Sequence, residues 1–206
     1  MRAPSASARS RLRYAVSTLA LASLVALGAG CSTDPNSIAA QANKGDQKGY
    51  VSGDGSIETI APGSRKEPVV LSGPTVDGST WSMPSDGKTV VVVNVWASWC
   101  GPCVAEAPHL QAAWKTIQTA GKPVQFVGIN FREDPARGAA FAKSVGVTYP
   151  SLTDESGVLI LKLQGKATTQ PTTLVLDQQG RIAARVSGPV TEATLTGLVD
   201  DVLASK

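Results

Sequence analysis

The segment Trp99–Cys103, which reads WCGPC, constrains this 206-residue chain more than any other. It follows a run rich in β-branched residues at 89–96, and a helical pattern of apolar residues begins directly after it. The sequence therefore predicts that Cys100 and Cys103 lie on the first turn of a helix that follows a buried strand. Two thiols at this spacing can cycle between a dithiol and a disulfide, which indicates electron transfer.

Two other uses of the cysteine pair stay open. A static disulfide would only brace the turn. Half of a zinc site would need further ligands, and only His109 and acidic residues are left to supply them. We expect neither a metal nor an organic cofactor, because the chain contains no GxGxxG, P-loop, GxSxG or HExxH motif.

Hydrophobic periodicity and turn residues predict an α/β fold. Asp134-Pro135 is typical of a capped helix start, and Thr191 is typical of another. The predicted elements are a hairpin joining 69–71 to 80–82, a strand at 90–96, a helix at 103–119, a strand at 124–129, a helix from 134 to about 145, a shorter helix at 157–163, a hairpin joining 172–176 to 182–186, and a final helix after 191. This order predicts a mixed sheet with helices on both faces.

The first 30 residues have the pattern of an export signal. Arginines come first, an apolar run occupies 15–27, and small residues lead to Cys31. The run is shorter than the roughly 20 residues that a membrane span needs. Segment 27–31 resembles a bacterial lipoprotein cleavage site, and acylation of Cys31 would leave one CxxC pair from an odd total of three cysteines. We predict a lipoprotein signal peptide at 1–30 and lipidation of Cys31; a signal peptide cut nearby, with Cys31 as a free thiol, is the alternative.

Composition changes after the signal. Residues 31–66 are rich in Ser, Asp, Asn, Gly and Gln, which predicts a flexible tether, with a partly ordered arm as the alternative. The folded domain is expected at 67–206. The net charge of +3 includes four arginines in residues 1–30, and without them it is −1. A chain this close to neutrality has no electrostatic footprint for nucleic acid.

The strand, the WCGPC turn, the helix and Pro171 before a late hairpin resemble thioredoxin. The longer run NVWASWCGPCVAEAP at 94–108, with the lipoprotein-like start, resembles the membrane-tethered TlpA/ResA/CcmG family. The resemblance covers about residues 67–206 and implies an α/β thioredoxin-like fold. This fold has a central mixed sheet flanked by helices, an N-terminal β-hairpin and an inserted helical segment within 134–166. The resemblance also implies a cis peptide bond before Pro171, packed against the CxxC pair.

Different roles are expected for the two thiols. Backbone N–H groups and the helix dipole favour a thiolate at Cys100, which makes it the nucleophile. Cys103, expected to be more buried, would resolve the mixed disulfide. The resemblance implies that Glu106 manages the proton of Cys103 directly or through water, and a solvated Glu on the helix face is the alternative. Thioredoxin has a buried aspartate where this chain has Asn94, which cannot titrate.

Further residues near the thiols are expected to contact a substrate. Gly101 and Pro102 form the turn between the cysteines, and the same dipeptide in thioredoxin implies a reducing potential. The resemblance implies that Gln170, before Pro171, offers backbone hydrogen bonds to an incoming peptide. Trp99 is expected at the rim of the site as a docking surface, and a packing role is equally open.

Together these features predict a monomeric, lipid-anchored thiol–disulfide oxidoreductase on the extracytoplasmic face of the cell membrane. Its partners would be thiols and disulfides of exported proteins. The resemblance implies a CcdA/DsbD-like membrane electron donor and, as one substrate, apocytochrome c during cytochrome c maturation. Three alternatives stay open: the same chemistry in the oxidative direction, a thiol peroxidase, against which the CxxC pair argues, and a non-catalytic chaperone or holdase.

Overall fold

Residues 55–205 are described by a computed structural model of the chain. The signal peptide expected at 1–30, the lipidation site Cys31 and the tether up to residue 54 lie outside the described residues and stay predictions. Between residues 55 and 205, no helix is both long and apolar enough to cross a membrane.

One mixed sheet of six strands organises the described part of the chain. In chain order, the strands and α-helices of residues 55–205 are β1 (Ser56–Thr59), β2 (Ser72–Pro74), β3 (Thr80–Ser82), β4 (Val90–Trp96), α1 (Gly101–Thr119), β5 (Val124–Phe131), α2 (Pro135–Ser144), β6 (Ser151–Asp154), β7 (Thr172–Leu176), β8 (Ile182–Ser187) and α3 (Glu192–Ala204). The sheet order is β1-β8-β7-β4-β5-β6, and β2 pairs with β3 in a separate hairpin. β4, β5 and β6 run parallel, and the other neighbours run antiparallel. The predicted mixed sheet and N-terminal hairpin are confirmed.

β4 lies in the middle of the sheet, and its sequence explains why. All seven of its residues are buried, as a run of mostly β-branched residues predicts. Successive side chains point to opposite faces of the sheet. Val90 and Val92 belong to an apolar cluster with residues of α1 and α3. Val91 and Val93 belong to a second cluster, which includes the segment before β2 and the 3-10 helix Leu159–Leu163.

Two of the helix starts agree with the sequence prediction. The Asp134 side chain accepts hydrogen bonds from the backbone N–H groups of Ala136 and Arg137, at 2.9 and 3.4 Å. The Thr191 hydroxyl accepts one from the backbone N–H of Thr194 at 3.2 Å. Such caps each contribute about 1 kcal/mol and fix where α2 and α3 begin.

The structure corrects the prediction at both edges of the sheet. β1 pairs with β8, so the ordered domain begins before residue 67 and the predicted tether is shorter at its C-terminal end. The short strands β1 and β6 were both missed, because most side chains of β1 are exposed and β6 has only four residues. The first hairpin strand lies at 72–74 rather than 69–71, since Val69 and Leu71 are buried in the core.

A buried ion-pair network ties the turn between β7 and β8 to both ends of the domain. Asp177 is fully buried, and Arg65 and Arg181 each donate to its Oδ2 atom at 2.9 Å. Its Oδ1 atom accepts from the backbone N–H of Gln179 at 3.0 Å. Arg65 also donates to the hydroxyl of Ser205, just after α3, at 2.9 Å. Burial alone would raise the pKa of Asp177, but the hydrogen bonds from Arg181 and Arg65 bring it below its ordinary value.

We expect Asp177→Ala to lower the free energy of unfolding by about 3–5 kcal/mol, because it leaves the buried Arg65 guanidinium without its carboxylate. Urea unfolding at neutral pH measures the loss. Asp200→Ala is the matched control: Asp200 pairs with Lys122 at the surface, and an exposed pair contributes about 0–1 kcal/mol. Equal losses in the two variants would contradict a stabilising role for the buried network.

Candidate active site

The two cysteines of the CxxC motif form a disulfide at the start of α1, with their Cα atoms 5.3 Å apart. Cys100 is the N-cap of the helix, and Cys103 lies in its first turn. The backbone N–H of Cys103 donates to Cys100 Sγ, with an N···S distance of 3.3 Å. This amide is among the helix N-terminal donors that have no partner within the helix. It lies where it would stabilise negative charge on Cys100.

The two thiols do not differ in burial as the sequence suggested. Cys100 is 0 % exposed and Cys103 is 2 % exposed, so the expectation that Cys103 is the more buried one is not met in this disulfide form. Both pack in a small cluster with Trp96, and Phe141 of α2 packs against it. The order of reaction of the two sulfurs therefore has to come from electrostatics rather than from exposure.

Pro171 lies at the same edge of the sheet as the disulfide. Its peptide bond with Gln170 is cis, as the resemblance predicts. Thr172 pairs with Val95 across β7 and β4, which places Pro171 beside the carboxyl end of β4, just before the CxxC turn. Gln170 is 5 % exposed, and Pro171 is also buried.

The residues that flank the cysteines differ in exposure. Gly101 is exposed, and Pro102 is half-buried in the first turn of α1. Trp99 is half-buried and packs against the disulfide cluster as well as the apolar core beneath the hairpin. A packing role for Trp99 is thus present. His109 is exposed on α1.

Glu106 is a buried carboxyl group one turn after Cys103. It is 1 % exposed, so the alternative of a solvated Glu on the helix face is wrong. Its Oε1 atom accepts from Asn94 Nδ2 at 2.8 Å, and its Oε2 atom accepts from the backbone N–H of Val190 at 3.1 Å. Asn94 also donates to the hydroxyl of Thr173 at 3.1 Å. Burial raises the pKa of Glu106 to about 7, although both hydrogen bonds lower it. A carboxyl with this pKa can give or accept a proton at neutral pH.

A small cavity borders Cys103 on the inner side of α1. Its wall includes Asn94 and Tyr149, and the rest of the lining is apolar. The space open to the centre of a water molecule is about 10 Å³, which is near the room that one water needs. Burial, and secondly the charge of Glu106, raise the pKa of the Tyr149 hydroxyl above its ordinary value. The cavity thus adjoins both Cys103 and the amide that binds Glu106.

The sequence did not predict a second buried carboxylate at the site, Glu133. It follows β5, is 7 % exposed, and accepts from the backbone N–H of Ser98 at 3.0 Å and from the Ser98 hydroxyl. Ser98 lies two residues before Cys100. Its position could have indicated the site: Ser98 follows β4 and Glu133 follows β5, and residues that follow neighbouring parallel strands meet at the same end of a sheet.

The raised pKa of Glu106 predicts a pH dependence of stability. A pKa of about 7 in the folded state against 4.5 ordinarily means that the folded protein holds this proton more tightly, so stability is lost as the pH rises through 7. Glu106→Gln removes this titration. The free energy of unfolding of the variant, minus that of the wild type, should therefore rise by about 2.5 kcal/mol between about pH 5 and about pH 8. Urea titrations across this range measure it. The exposed Glu155→Gln control should give a constant difference, and a constant difference for Glu106→Gln would contradict the prediction.

Comparison with known proteins places the chain in a family. The AhpC/TSA family matches residues 67–185. The thiol:disulfide interchange protein HelX of Rhodobacter capsulatus is 33% identical over 144 residues, which cover 70% of this chain and 75% of HelX. The thiol-disulfide oxidoreductase ResA of Bacillus subtilis is 29% identical over 105 residues, which cover 51% of this chain and 56% of ResA.

Solved structures agree with these matches. A secreted thiol-disulfide isomerase from Corynebacterium glutamicum has a TM-score of 0.67 at 28% identity and covers 75% of this chain and 96% of its own. A DsbF homologue from Corynebacterium diphtheriae has a TM-score of 0.63 at 29% identity, with coverage of 74% and 97%. The sheet, the three helices and the N-terminal hairpin therefore form a thioredoxin-like fold. The chain belongs to the AhpC/TSA family and is a thiol–disulfide oxidoreductase whose CxxC active site is the Cys100–Cys103 pair.

Proposed function

We propose that this oxidoreductase reduces disulfides in exported proteins, with Cys100 as the nucleophile. The observation that carries the proposal is the backbone N–H of Cys103 directed at Cys100 Sγ at the start of α1. A free thiol has a pKa near 8.5, so only about 3% of it is thiolate at neutral pH. The free amides and the dipole at the helix N-terminus stabilise the charged form, so they lower the pKa of the Cys100 thiol and enlarge its thiolate fraction.

The first step forms a mixed disulfide. The Cys100 thiolate attacks one sulfur of the substrate disulfide, a new S–S bond forms, and the second substrate sulfur leaves as a thiolate that takes a proton from water. A Cys100 thiol with a pKa close to the ambient pH combines a large thiolate fraction with good nucleophilicity.

The second step releases the substrate. Cys103 gives its proton to Glu106, directly or through a water, and its sulfur attacks Cys100 Sγ. The bond between Cys100 and the substrate breaks, and the substrate leaves as a thiolate. Two electrons have then passed from the protein dithiol to the substrate, and the protein is left with the Cys100–Cys103 disulfide. Glu106 suits this role because it is buried, lies one turn from Cys103 and has a pKa of about 7.

Substrate binding is assigned to the edge of the sheet around the disulfide. Gln170, before the cis bond, would offer its backbone to an extended peptide, and Pro171 would pack against the incoming sulfur. Trp99 and the Gly101-Pro102 turn would border the same peptide. The support for this assignment is the register that sets Pro171 beside the end of β4.

The same proposal includes a membrane anchor. A lipid on Cys31 and a tether of residues 31–54 would hold the domain at the extracytoplasmic face of the membrane. Two of the similar structures, from Corynebacterium glutamicum and Mycobacterium tuberculosis, are of secreted proteins. Because a soluble reductant pool is not at hand outside the cytoplasm, a reducing role requires a membrane electron donor of the CcdA/DsbD kind. Apocytochrome c, whose cysteines must be reduced before haem attachment, is the proposed substrate.

The direction of electron flow is tested by the reduction potential of the Cys100–Cys103 pair. We expect a value below about −220 mV, in the range of reducing members of the thioredoxin superfamily. Equilibration with dithiothreitol buffers and quantification of the free thiols measure it. A value near −150 mV would instead support oxidation of secreted proteins, which is the alternative direction.

Two cysteine variants in the full-length chain complete that test. Cys103→Ser should accumulate a mixed disulfide with a CxxCH-type peptide in which serine replaces the second cysteine and the first carries a thionitrobenzoate leaving group, and Cys100→Ser should not. A Cys100→Ser variant that retains the full activity of the wild type would support the chaperone alternative and contradict catalysis by the thiols.

The proposed role of Glu106 is tested by the pKa values of both thiols. Glu106→Gln removes a titrating carboxyl near Cys103, so the pKa of the Cys103 thiol should fall by about one unit in the reduced protein, because a nearby carboxylate raises thiol pKa values. The pH dependence of alkylation of single-cysteine variants measures it. The exposed Glu155→Gln variant serves as the charge-matched control. No change at either cysteine would remove Glu106 from the mechanism.

A further inference from the structure

Glu133 is a buried carboxylate that the mechanism above does not use. Its Oε2 atom accepts from the backbone N–H of Ser98 at 3.0 Å and from Asn130 Nδ2 at 2.7 Å. Its Oε1 atom accepts from the Ser98 hydroxyl. The carboxylate therefore holds Ser98 at two points, one on the backbone and one on the side chain.

The backbone around Glu133 is itself fixed. Arg132 has a positive φ of 48°, which is uncommon for a residue other than glycine and persists only where the surroundings impose it. Its backbone N–H donates to Asp154 O at 2.9 Å, and its guanidinium lies over the ring of Phe131 at 5.2 Å. This left-handed residue turns the chain at the end of β5, directly before Glu133.

Asn130 holds Glu133 from the other side. Asn130 is fully buried, and within residues 55–205 its Oδ1 atom has no hydrogen-bond partner. A Cβ atom at Gly138 of α2 would lie 2.5 Å from that oxygen, so α2 packs closely on the amide. Leaving a buried acceptor unsatisfied costs about 1–3 kcal/mol. The Nδ2 atom of the same side chain donates to Glu133, so the unsatisfied oxygen accompanies a hydrogen bond that holds the Glu133 carboxylate.

We propose that Glu133 is a positioning residue that fixes the 97–99 loop and thereby the orientation of Trp99 and Cys100 toward a substrate disulfide. The inference rests on the proposed function. β4 ends at Trp96 and α1 begins at Gly101, so Ala97, Ser98 and Trp99 lie in a loop between the two elements. The Cys100 N–H donates to Ala97 O at 3.2 Å across this loop, and the bonds from Ser98 to Glu133 attach it to the segment that follows β5.

The chemistry gives such a restraint a clear use. In thiol–disulfide exchange the attacking sulfur must approach along the axis of the bond that breaks, and a misplacement of about 1 Å can cost on the order of 100-fold in rate. A small alkylating reagent has no bound geometry and does not depend on docking. Loss of positioning therefore slows attack on a peptide disulfide without slowing alkylation, whereas loss of the thiolate slows both reactions.

The experiment compares four substitutions in the full-length Cys103→Ser chain: Glu133→Ala, Glu133→Gln, Ser98→Ala and the exposed control Glu155→Ala. Second-order rate constants of Cys100 are measured with a CxxCH-type peptide, in which serine replaces the second cysteine and the first carries a thionitrobenzoate leaving group, and with iodoacetamide. Both are measured at about pH 9.5, where the thiol is mostly ionised, so that shifts in its pKa have little effect.

We expect Glu133→Ala to slow the peptide reaction by about 10-fold and to leave alkylation within about 2-fold. Ser98→Ala, which removes one of the two contacts, should slow the peptide reaction by about 3-fold. Glu133→Gln should recover most of the rate, because a Gln oxygen can still accept from the Ser98 N–H. Glu155→Ala should match the parent in both reactions.

Equal peptide rates in Glu133→Ala and the parent would overturn the inference, and so would an equal loss with both reagents. If Glu133→Ala does not fold, an unchanged peptide rate in Ser98→Ala overturns it. A parent chain that alkylates normally but forms no mixed disulfide with the peptide overturns the proposed function, and the inference with it. The two failures are thus distinguished by the parent alone.

Discussion

The start of α1 at Cys100 is the constraint on which the site depends. β4 is buried on both faces up to Trp96, and within five residues the chain has turned into a helix whose free amides lie at the carboxyl edge of the sheet. Pro102 suits this first turn, where the missing N–H is not needed. The donor to Cys100 Sγ is a backbone amide, so its contribution does not depend on a side chain or on pH.

Two buried carboxyl groups lie near the start of α1, and their surroundings differ. A charged Glu106 would raise the pKa of the thiols, but burial keeps it partly protonated near neutral pH. Glu133 accepts three hydrogen bonds, two of them from Ser98. Asn94 contributes by donating to Glu106 without adding a charge of its own. Burial is thus what limits the negative charge of Glu106, because the bonds from Asn94 and Val190 both lower its pKa.

The elements that the sequence predicted correctly are those determined by their own residues. The Val90–Trp96 strand is β-branched throughout most of its length, and Asp134 and Thr191 cap their helices through their own side chains. The cis bond at Pro171 followed from a family resemblance and not from the residues alone. β1 is ordered by its pairing with β8, which no local pattern reveals, and this is why the predicted tether was too long.

Burial of polar groups was the least predictable property of the site. The spacing from Cys103 showed that Glu106 lies near the thiols on α1, but not that it is buried against Asn94 and Val190. Glu133 joined the site through a turn at Arg132 whose positive φ has no signal in the sequence. Val190 is 84 residues from Glu106 and Ser98 is 35 residues from Glu133, and a single sequence without structure does not show that such distant residues meet.

The active site and the buried ion-pair network lie at opposite ends of the central strands. Three features near the carboxyl ends of β4 and β5 each disfavour folding. They are the buried Glu106 with its raised pKa, the Asn130 oxygen that has no hydrogen-bond partner within residues 55–205, and the left-handed backbone of Arg132. At the opposite end of β7, just after Leu176, the Asp177 carboxylate accepts hydrogen bonds from two arginines and from backbone amides. Functional sites commonly break the rules of stable packing and rely on compensation elsewhere. β7, Thr172–Leu176, lies between Pro171 and Asp177, so one strand connects the end that carries the active site to the end that carries the ion-pair network.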